Sequence, residues 1–351
     1  MKTIRTKGYN IYFDNTSKLQ EFIGKKNPSS LVILVDENTE KYCLHHLIPL
    51  LSMKFHIIKI KSGETSKSIS TCEYIWKKLI EYHSDRNTLL VNLGGGVIGD
   101  IGGFCASTFM RGIDFIQIPT TLLGQVDASI GGKTGIDFLE YKNIIGSFHK
   151  PKAVFIFTDF LKTLPPEELK SGYAEMLKHG LIADTDEWKA LSHGLLMSPI
   201  EMKKHIFKSV SIKKRIVEKD PHDIGIRKIL NFGHTFGHAI ESKWMSSKKP
   251  LLHGQAVAIG MVCESYLSYR SGQLSESDLF DIRHSILDIY GHQPKYVKPV
   301  PELLQIMQHD KKNENGEFHV VLLEDIGSAK KSTPIKTNAL EDAFHFYQAK
   351  L

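Results

Sequence analysis

The spacing of apolar residues changes character near Pro165-Pro166, and that change limits the folds open to the chain. Before it, short apolar runs alternate with amphipathic stretches. Leu31-Val32-Ile33-Leu34-Val35 is a continuous apolar run that ends at Asp36, as a buried parallel strand does. Ile69, Cys72, Ile75, Trp76, Leu79 and Ile80 recur three and four apart, which predicts an amphipathic helix over 67–83. Residues 88–93 read as a second buried strand, with further strands at 115–118 and 154–157. Strands alternating with helices predict an α/β domain with a mostly parallel sheet. After the two prolines, residues 166–181, 199–219, 228–242, 254–271, 277–290 and 301–309 all carry helical spacing. Only 318–323 interrupts them, as one late strand. The expectation is an α/β domain over 1–165 followed by an all-α domain over 166–351.

Length agrees with two domains, since 351 residues exceed what a single core usually serves. The chain is 41% apolar and 24% charged, an ordinary globular balance that argues against disorder. No apolar run approaches the ~20 residues that span a bilayer, and no hydrophobic signal segment follows the basic first residues. Cys43, Cys72, Cys105 and Cys263 lack CxxC spacing, so neither a disulfide framework nor a cysteine zinc site is expected. The cytoplasm is the expected compartment. A formal charge of +6 suits nucleic acid, an anionic small molecule or no ligand, and no aromatic-interleaved basic stripe supports nucleic acid.

Three groups of residues carry chemistry. Gly94-Gly95-Gly96-Val97-Ile98-Gly99-Asp100 follows a strand and opens a helix. Glycines there let a pyrophosphate approach the backbone while the helix N-terminus offers oriented N–H groups. A tight turn that binds nothing reads equally well, and no acid ends a strand ~20 residues further on. Asp36 ends an earlier strand instead, where it can serve ribose hydroxyls. Gly63-Glu64-Thr65-Ser66-Lys67 is a second turn into a helix, readable as a nucleotide contact or a plain N-cap. Lys133 and Lys142-Asn143 lie in or after the glycine-rich run 124–135, and lysines beside glycine-rich backbone suit an anion. The spacing is not that of a P-loop; a solvated basic loop is the bland alternative. Last, His234 and His238 stand four apart in a predicted helix, Glu175 and His179 repeat that spacing earlier, and His253 opens another helix. Such a cluster suits a divalent metal with mixed His/Glu ligation, and spacing leaves open which three residues bind it.

These residues fall in longer motifs: GGGVIGD (94–100), STFMRG (107–112), IPTTLLGQVDASIGGKTG (118–135), KNIIGSF (142–148), LKTLP (161–165), SGYAEMLKHGLI (171–182), LNFGHTFGHAIE (230–241) and LHGQAVAIGM (252–261). In that order, from about Leu31 through Asp310-Lys311-Lys312, the chain resembles the 3-dehydroquinate synthase family. The resemblance implies a dinucleotide-binding domain followed by a helical one. It also implies conversion of 3-deoxy-D-arabino-heptulosonate 7-phosphate to 3-dehydroquinate and phosphate in the shikimate pathway, with NAD used and regenerated in each turnover. It makes Glu175, His234 and His253 the ligands of zinc, or of cobalt in its place, and His238 a nearby proton-transfer residue. Lys133, Asn143, Lys178, Lys213, Arg227 and Asn231 match positions that hold the substrate's phosphate, carboxylate and hydroxyls. Lys311 or Lys312 matches a further substrate lysine, and Arg111 a phosphate contact reaching a neighbouring subunit of a homodimer. Asp36, Asn38, Glu64, Lys67, Gly95, Gly96, Asp100, Thr120, Thr121, Asp127, Lys142 and Thr163 fall on NAD-binding positions. Gln255 stands where many members have Glu, 136–141 lack a customary proline and glycine, and 220–223 depart from the usual acidic run, which is expected to alter only the surface. The competing readings are another sugar-phosphate cyclase and a metal-dependent NAD polyol dehydrogenase; neither nucleic acid nor membrane is an expected partner.

Overall fold

The computed structural model describes residues 2–139, 141–245, 247, 250–308 and 318–350. The chain divides into two units, Met1–Pro165 and Pro166–Leu351.

In the first unit the strands are β1 (Lys2–Arg5), β2 (Asn10–Phe13), β3 (Leu31–Asp36), β4 (Phe55–Ile60), β5 (Leu89–Gly94), β6 (Asp114–Pro119), β7 (Lys133–Phe138), β8 (Tyr141–Phe148) and β9 (Ala153–Ile156). Its helices are α1 (Thr16–Lys26), α2 (Glu37–Tyr42), α3 (Leu44–Leu47), α4 (Ile69–Glu81) and α5 (Gly96–Thr108). Seven strands form one sheet in the order β1-β2-β9-β6-β5-β3-β4, parallel throughout except for the edge pair β1–β2. Alternation along β3 sends Leu31, Ile33 and Val35 to the face covered by α1 and α3, and Val32 and Leu34 to the face covered by α4 and α5. Both faces are buried, which is why the central strands read as unbroken apolar runs. From β3 the chain moves outward to β4, crosses back to β5, and continues the other way to β6. The C-terminal ends of β3 and β5 therefore flank a topological switch point, where open α/β sheets bind ligands.

The lysine-bearing stretch is not a loop. A π-helical turn, Gly124–Ala128, leads into the antiparallel hairpin β7–β8, which packs on α5. A Cβ at Gly103 of α5 would overlap Thr134 of β7, so the glycine lets the hairpin lie against the helix.

The second unit contains α6 (Pro166–Ala183), α7 (Thr185–Leu191), α8 (Pro199–Lys219), α9 (His234–Trp244), α10 (His253–Arg270), α11 (Glu276–Tyr290), α12 (Val300–Gln308), β10 (Phe318–Asp325), β11 (Ser328–Ile335) and α13 (Thr337–Gln348). Every residue from Ala256 to Ser265 is buried, and α6, α9, α11, α13 and β10 pack around α10. Two expectations need correcting here. The late strand is half of a hairpin, β10–β11, turned at Gly327 with φ +91°. The helix expected over 228–242 is broken: Ile226–Asn231 is a 3-10 turn, Gly233 takes φ +78°, and α9 begins only at His234. That left-handed conformation is open to glycine and strained for other residues. Among the described residues no helix is long and apolar enough to cross a membrane. The four cysteines are buried and unlinked.

Candidate functional site

In the first unit the chemistry gathers at the switch point. Gly95 is the N-cap of α5 and offers no side chain, so the first N–H groups of a thirteen-residue helix meet an open cradle. A Cβ on Gly95 would stand 3.0 Å from Thr121 Cγ2 and fill that cradle. Thr120 N donates to Gly94 O at 3.0 Å, and Thr121 Oγ1 accepts from Gly124 N at 3.0 Å, so the Pro119–Gly124 turn holds the strand end in place. These features fit a dinucleotide pyrophosphate.

Beside the turn, Lys67 is buried and its Nζ donates to Asp100 Oδ2 at 2.6 Å and to Asn143 Oδ1. Glu64 Oε1 stands 4.0 Å from Lys67 Nζ and 3.8 Å from Lys142 Nζ. Burial disfavours the Lys67 ammonium, but Asp100 and Glu64 outweigh it and raise its pKa above the ordinary lysine value. Asn143, held at φ +52°, donates its N–H to Asp137 Oδ1 at 2.8 Å. The structure thus brings together Glu64, Lys67, Asp100, Lys142 and Asn143, drawn from a turn, a helix and the hairpin.

The other predicted residues of this unit are placed as follows. Asp36 caps α2, its Oδ1 accepting from Thr39 N at 2.8 Å in a reciprocal capping box, so it also has a structural task. Asn38 is exposed in the first turn of α2, Thr163 is exposed in the 3-10 turn Thr158–Thr163, and Asp127 lies half-buried in the π-helical turn. Lys133 is exposed at the start of β7, and Arg111 is exposed with φ +68° just after α5.

In the second unit three helices converge. Glu175 of α6 is fully buried, and its Oε1 lies 3.5 Å from His234 Nε2 and 3.6 Å from His253 Nε2. All three ligand atoms lie within 4.8 Å of one another. Each histidine turns its other nitrogen outward: His234 Nδ1 meets the Phe232 carbonyl at 3.1 Å, and His253 Nδ1 meets Glu241 Oε2 at 3.2 Å. One carboxylate and two imidazoles, with both Nε2 atoms converging and both Nδ1 atoms engaged, fit a zinc-type ion.

Glycine makes the convergence possible. A Cβ at Gly260 of α10 would overlap the Gly233 carbonyl oxygen, and one at Gly237 would come within 3.1 Å of Val257 Cα. A Cβ at Gly254 would overlap the Ser171 carbonyl oxygen of α6. Near-contact of backbones thus brings His234 and His253 to Glu175. Gln255, the departure next to His253, accepts Leu252 N at 3.1 Å through Oε1; a neutral amide does this as well as a carboxylate.

His238, one turn after His234, is half-buried, and its ring centroid lies 5.3 Å from that of His234 and 6.2 Å from that of His253. His179, the other spacing-based candidate, is buried and engages Ser209 Oγ at 2.6 Å through Nδ1. Lys178, 1% exposed, pairs with Glu175, and Lys213 and Arg227 are also buried. They lie on α6, α8 and the 226–231 turn, which pack against one another. Asn231 ends that turn. Buried cations collected on neighbouring elements suit an anionic substrate. Lys311 and Lys312 lie outside the described residues.

Two functional positions escaped the sequence reading. Glu241 behind His253 follows His234 by seven residues, so the helical period was the signal available. Asp220 is not a surface variation: it is buried, Oδ2 accepts Gly225 N at 2.6 Å and Arg227 N at 3.0 Å, and Oδ1 accepts Ile224 N at 3.1 Å. It shapes the turn that carries Arg227.

In the metal-free chain, burial presses the His253 imidazolium down, but Glu241 and Glu175 prevail and hold its pKa up to about 10. A raised pKa stabilises the fold fully below the unfolded value near 6.5, and that contribution disappears as pH rises through 10. Chelator-treated protein should therefore lose thermal stability from pH 7 to 10, and protein given zinc should lose less if an ion takes the place of that proton on His253. Melting curves in the two states check this.

Residues 57–171 match the 3-dehydroquinate synthase N-terminal family and 172–313 the C-terminal one. In solved structures the fold recurs in a 2-deoxy-scyllo-inosose synthase complexed with carbaglucose-6-phosphate, NAD+ and Co2+ (TM-score 0.88, 23% identity, 98% of this chain and 99% of that one). It recurs in a 2-epi-5-epi-valiolone synthase from Streptomyces hygroscopicus with NAD+ and Zn2+ bound (TM-score 0.86, 26% identity, 99% and 98%). The fold is shared with both of these synthases. A 3-dehydroquinate synthase of Parabacteroides distasonis is 40% identical over 95% of this chain and 96% of its own length. With both family matches in sequence order, the chain belongs to the 3-dehydroquinate synthase family.

Proposed function

We propose that the chain converts 3-deoxy-D-arabino-heptulosonate 7-phosphate to 3-dehydroquinate and inorganic phosphate, acting as a phosphate-eliminating lyase with NAD and a divalent metal, zinc or cobalt. The observation that carries this reading is the converging set Glu175, His234 and His253, each histidine oriented from behind. The relatives at about 40% identity supply the substrate. When bound, NAD supplies reversible hydride acceptance and the metal supplies Lewis acidity; no redox change remains at the end of a turnover.

The chain's own residues do the rest. Gly95 and Gly96 present the α5 N–H groups to the dinucleotide pyrophosphate, with Thr120 and Thr121 shaping the opposite wall. Asp36, Asn38, Asp127 and Thr163 serve the remainder of the dinucleotide. The Glu64–Lys67–Asp100–Lys142 network fixes the hairpin that carries Asn143, so that a substrate-holding amide is set before the ligand arrives. Lys133, Lys178, Lys213, Arg227, Asn231 and one of Lys311 and Lys312 hold the substrate's phosphate, carboxylate and hydroxyls, and Arg111 contacts phosphate across a homodimer. His238, half-buried beside the ligand histidines, takes and returns a proton. The first unit is thus the NAD-binding domain and the second the metal- and substrate-binding domain of a cytoplasmic enzyme.

Phosphate release from the heptulosonate phosphate tests this reading. Release is expected only with NAD present, is abolished by a chelator, and leaves no net NADH. Lys133→Ala should lower kcat/KM about 10- to 100-fold, the range for a hydrogen bond to a charged group, with the melting temperature kept because Lys133 is exposed. NADH accumulating with turnover would instead indicate a polyol dehydrogenase, and activity on substrates lacking the carboxylate another sugar cyclase.

A further inference from the structure

We propose that Glu241 is a positioning residue: it turns His253 toward the metal and thereby sets how tightly the helical unit holds its ion. The inference rests on Glu175, His234 and His253 being the ligands.

An imidazole is a rigid plane, so fixing one nitrogen aims the other. His253 is the first residue of α10, preceded by extended Leu252, and is thus where the helix restrains a ring least. Its two nitrogens lie between two carboxylates, Nε2 3.6 Å from Glu175 Oε1 and Nδ1 3.2 Å from Glu241 Oε2. A carboxylate behind Nδ1 keeps a proton on that nitrogen and leaves the Nε2 lone pair directed at the ion, the usual support for a histidine ligand. His234 gains the same support from the main-chain carbonyl of Phe232, which no substitution removes. The two ligands therefore differ: one is aimed by the backbone, the other by a replaceable side chain.

Glu241 reaches its place through helical period. His234, His238 and Glu241 stand at i, i+4 and i+7 of α9, on one face. A simple tie between α9 and α10 would explain the contact too, but those helices already meet backbone to backbone through Gly233, Gly237 and Gly260. Glu241 is 12% exposed in its side chain, so an amide of the same shape can replace it without opening a large cavity.

Zinc titration of the full-length, chelator-stripped protein against a chromophoric competitor tests the proposal. Glu241→Ala is expected to weaken zinc affinity about 10- to 100-fold, with Glu241→Gln between it and the unmodified chain because the amide oxygen still accepts the Nδ1 proton. Cobalt-loaded protein supplies a second readout: the visible d–d bands of both variants should shift, which a merely structural tie would not cause. His253→Ala runs alongside. If the unmodified chain and His253→Ala bind zinc alike, the ligand assignment fails. If His253→Ala loses zinc while Glu241→Ala binds within twofold of the unmodified chain with unchanged cobalt bands, the positioning role is overturned.

Discussion

Glu175→Gln is expected to empty the metal site and to lower phosphate release by roughly 100-fold or more. The carboxylate is fully buried, and its Oε1 is the atom on which His234 and His253 converge. Glutamine keeps the volume but brings a neutral oxygen and an N–H pair where a divalent zinc-type ion needs an anionic ligand. Losing several kcal/mol of Lewis-acid stabilisation costs at least two decades of rate, at about 1.4 kcal/mol per decade. The fold suffers as well. Lys178, 1% exposed, pairs with Glu175, and removing one member of a buried pair typically destabilises by about 3–5 kcal/mol. Metal analysis, phosphate release and thermal melting should all move. Full activity with zinc retained in Glu175→Gln would remove this residue from the ligand set.

Gly260→Ala is expected to be among the most damaging single methyl additions in the helical unit. The added carbon would overlap the Gly233 carbonyl oxygen, a backbone atom with no rotamer to change. Relief requires α10 to move away from α9, and that motion carries His253 from His234. Overpacking of a tight interior usually destabilises by about 1–3 kcal/mol, and a clash with main chain sits at the top of that range. Melting temperature and bound zinc should fall together. By contrast, Gly272→Ala meets open space; its φ of +72° makes it a test of backbone strain alone, and it should leave the metal in place.

What could be read from the sequence follows from which residues carry a periodic signal. Buried parallel strands such as β3 and β5 show as apolar runs because both faces are covered, and α4 shows because one stripe faces the sheet. The hairpin β7–β8 hid behind its glycines and exposed side chains: along β8 no residue is buried, so nothing alternates strongly. Strand β11 (Ser328–Ile335) is mostly polar and pairs with β10, so its sequence carries no apolar alternation. The break at Gly233 was invisible because the apolar period continues through it; only the left-handed turn reveals it. Of the site, the histidine pair is legible from its four-residue spacing, though spacing alone does not separate His234, which converges on Glu175, from His238 beside it. Glu241 left only the i+7 spacing after His234, because its partner His253 lies on another helix; Asp220 accepts N–H groups of its own following turn, at Ile224, Gly225 and Arg227, where no periodic pattern marks it.

The glycine-lined contacts among α6, α9 and α10 also bear on how the protein is made. Residues 175, 234 and 253 sit far apart along the chain, so their ligand atoms meet only after long loops have closed and the helices have docked. A nascent chain has no preassembled ion site to seed its folding. An ion held by these three residues would be captured late, once the helical unit has assembled, and its loss would be an early sign that α10 has begun to separate from its neighbours.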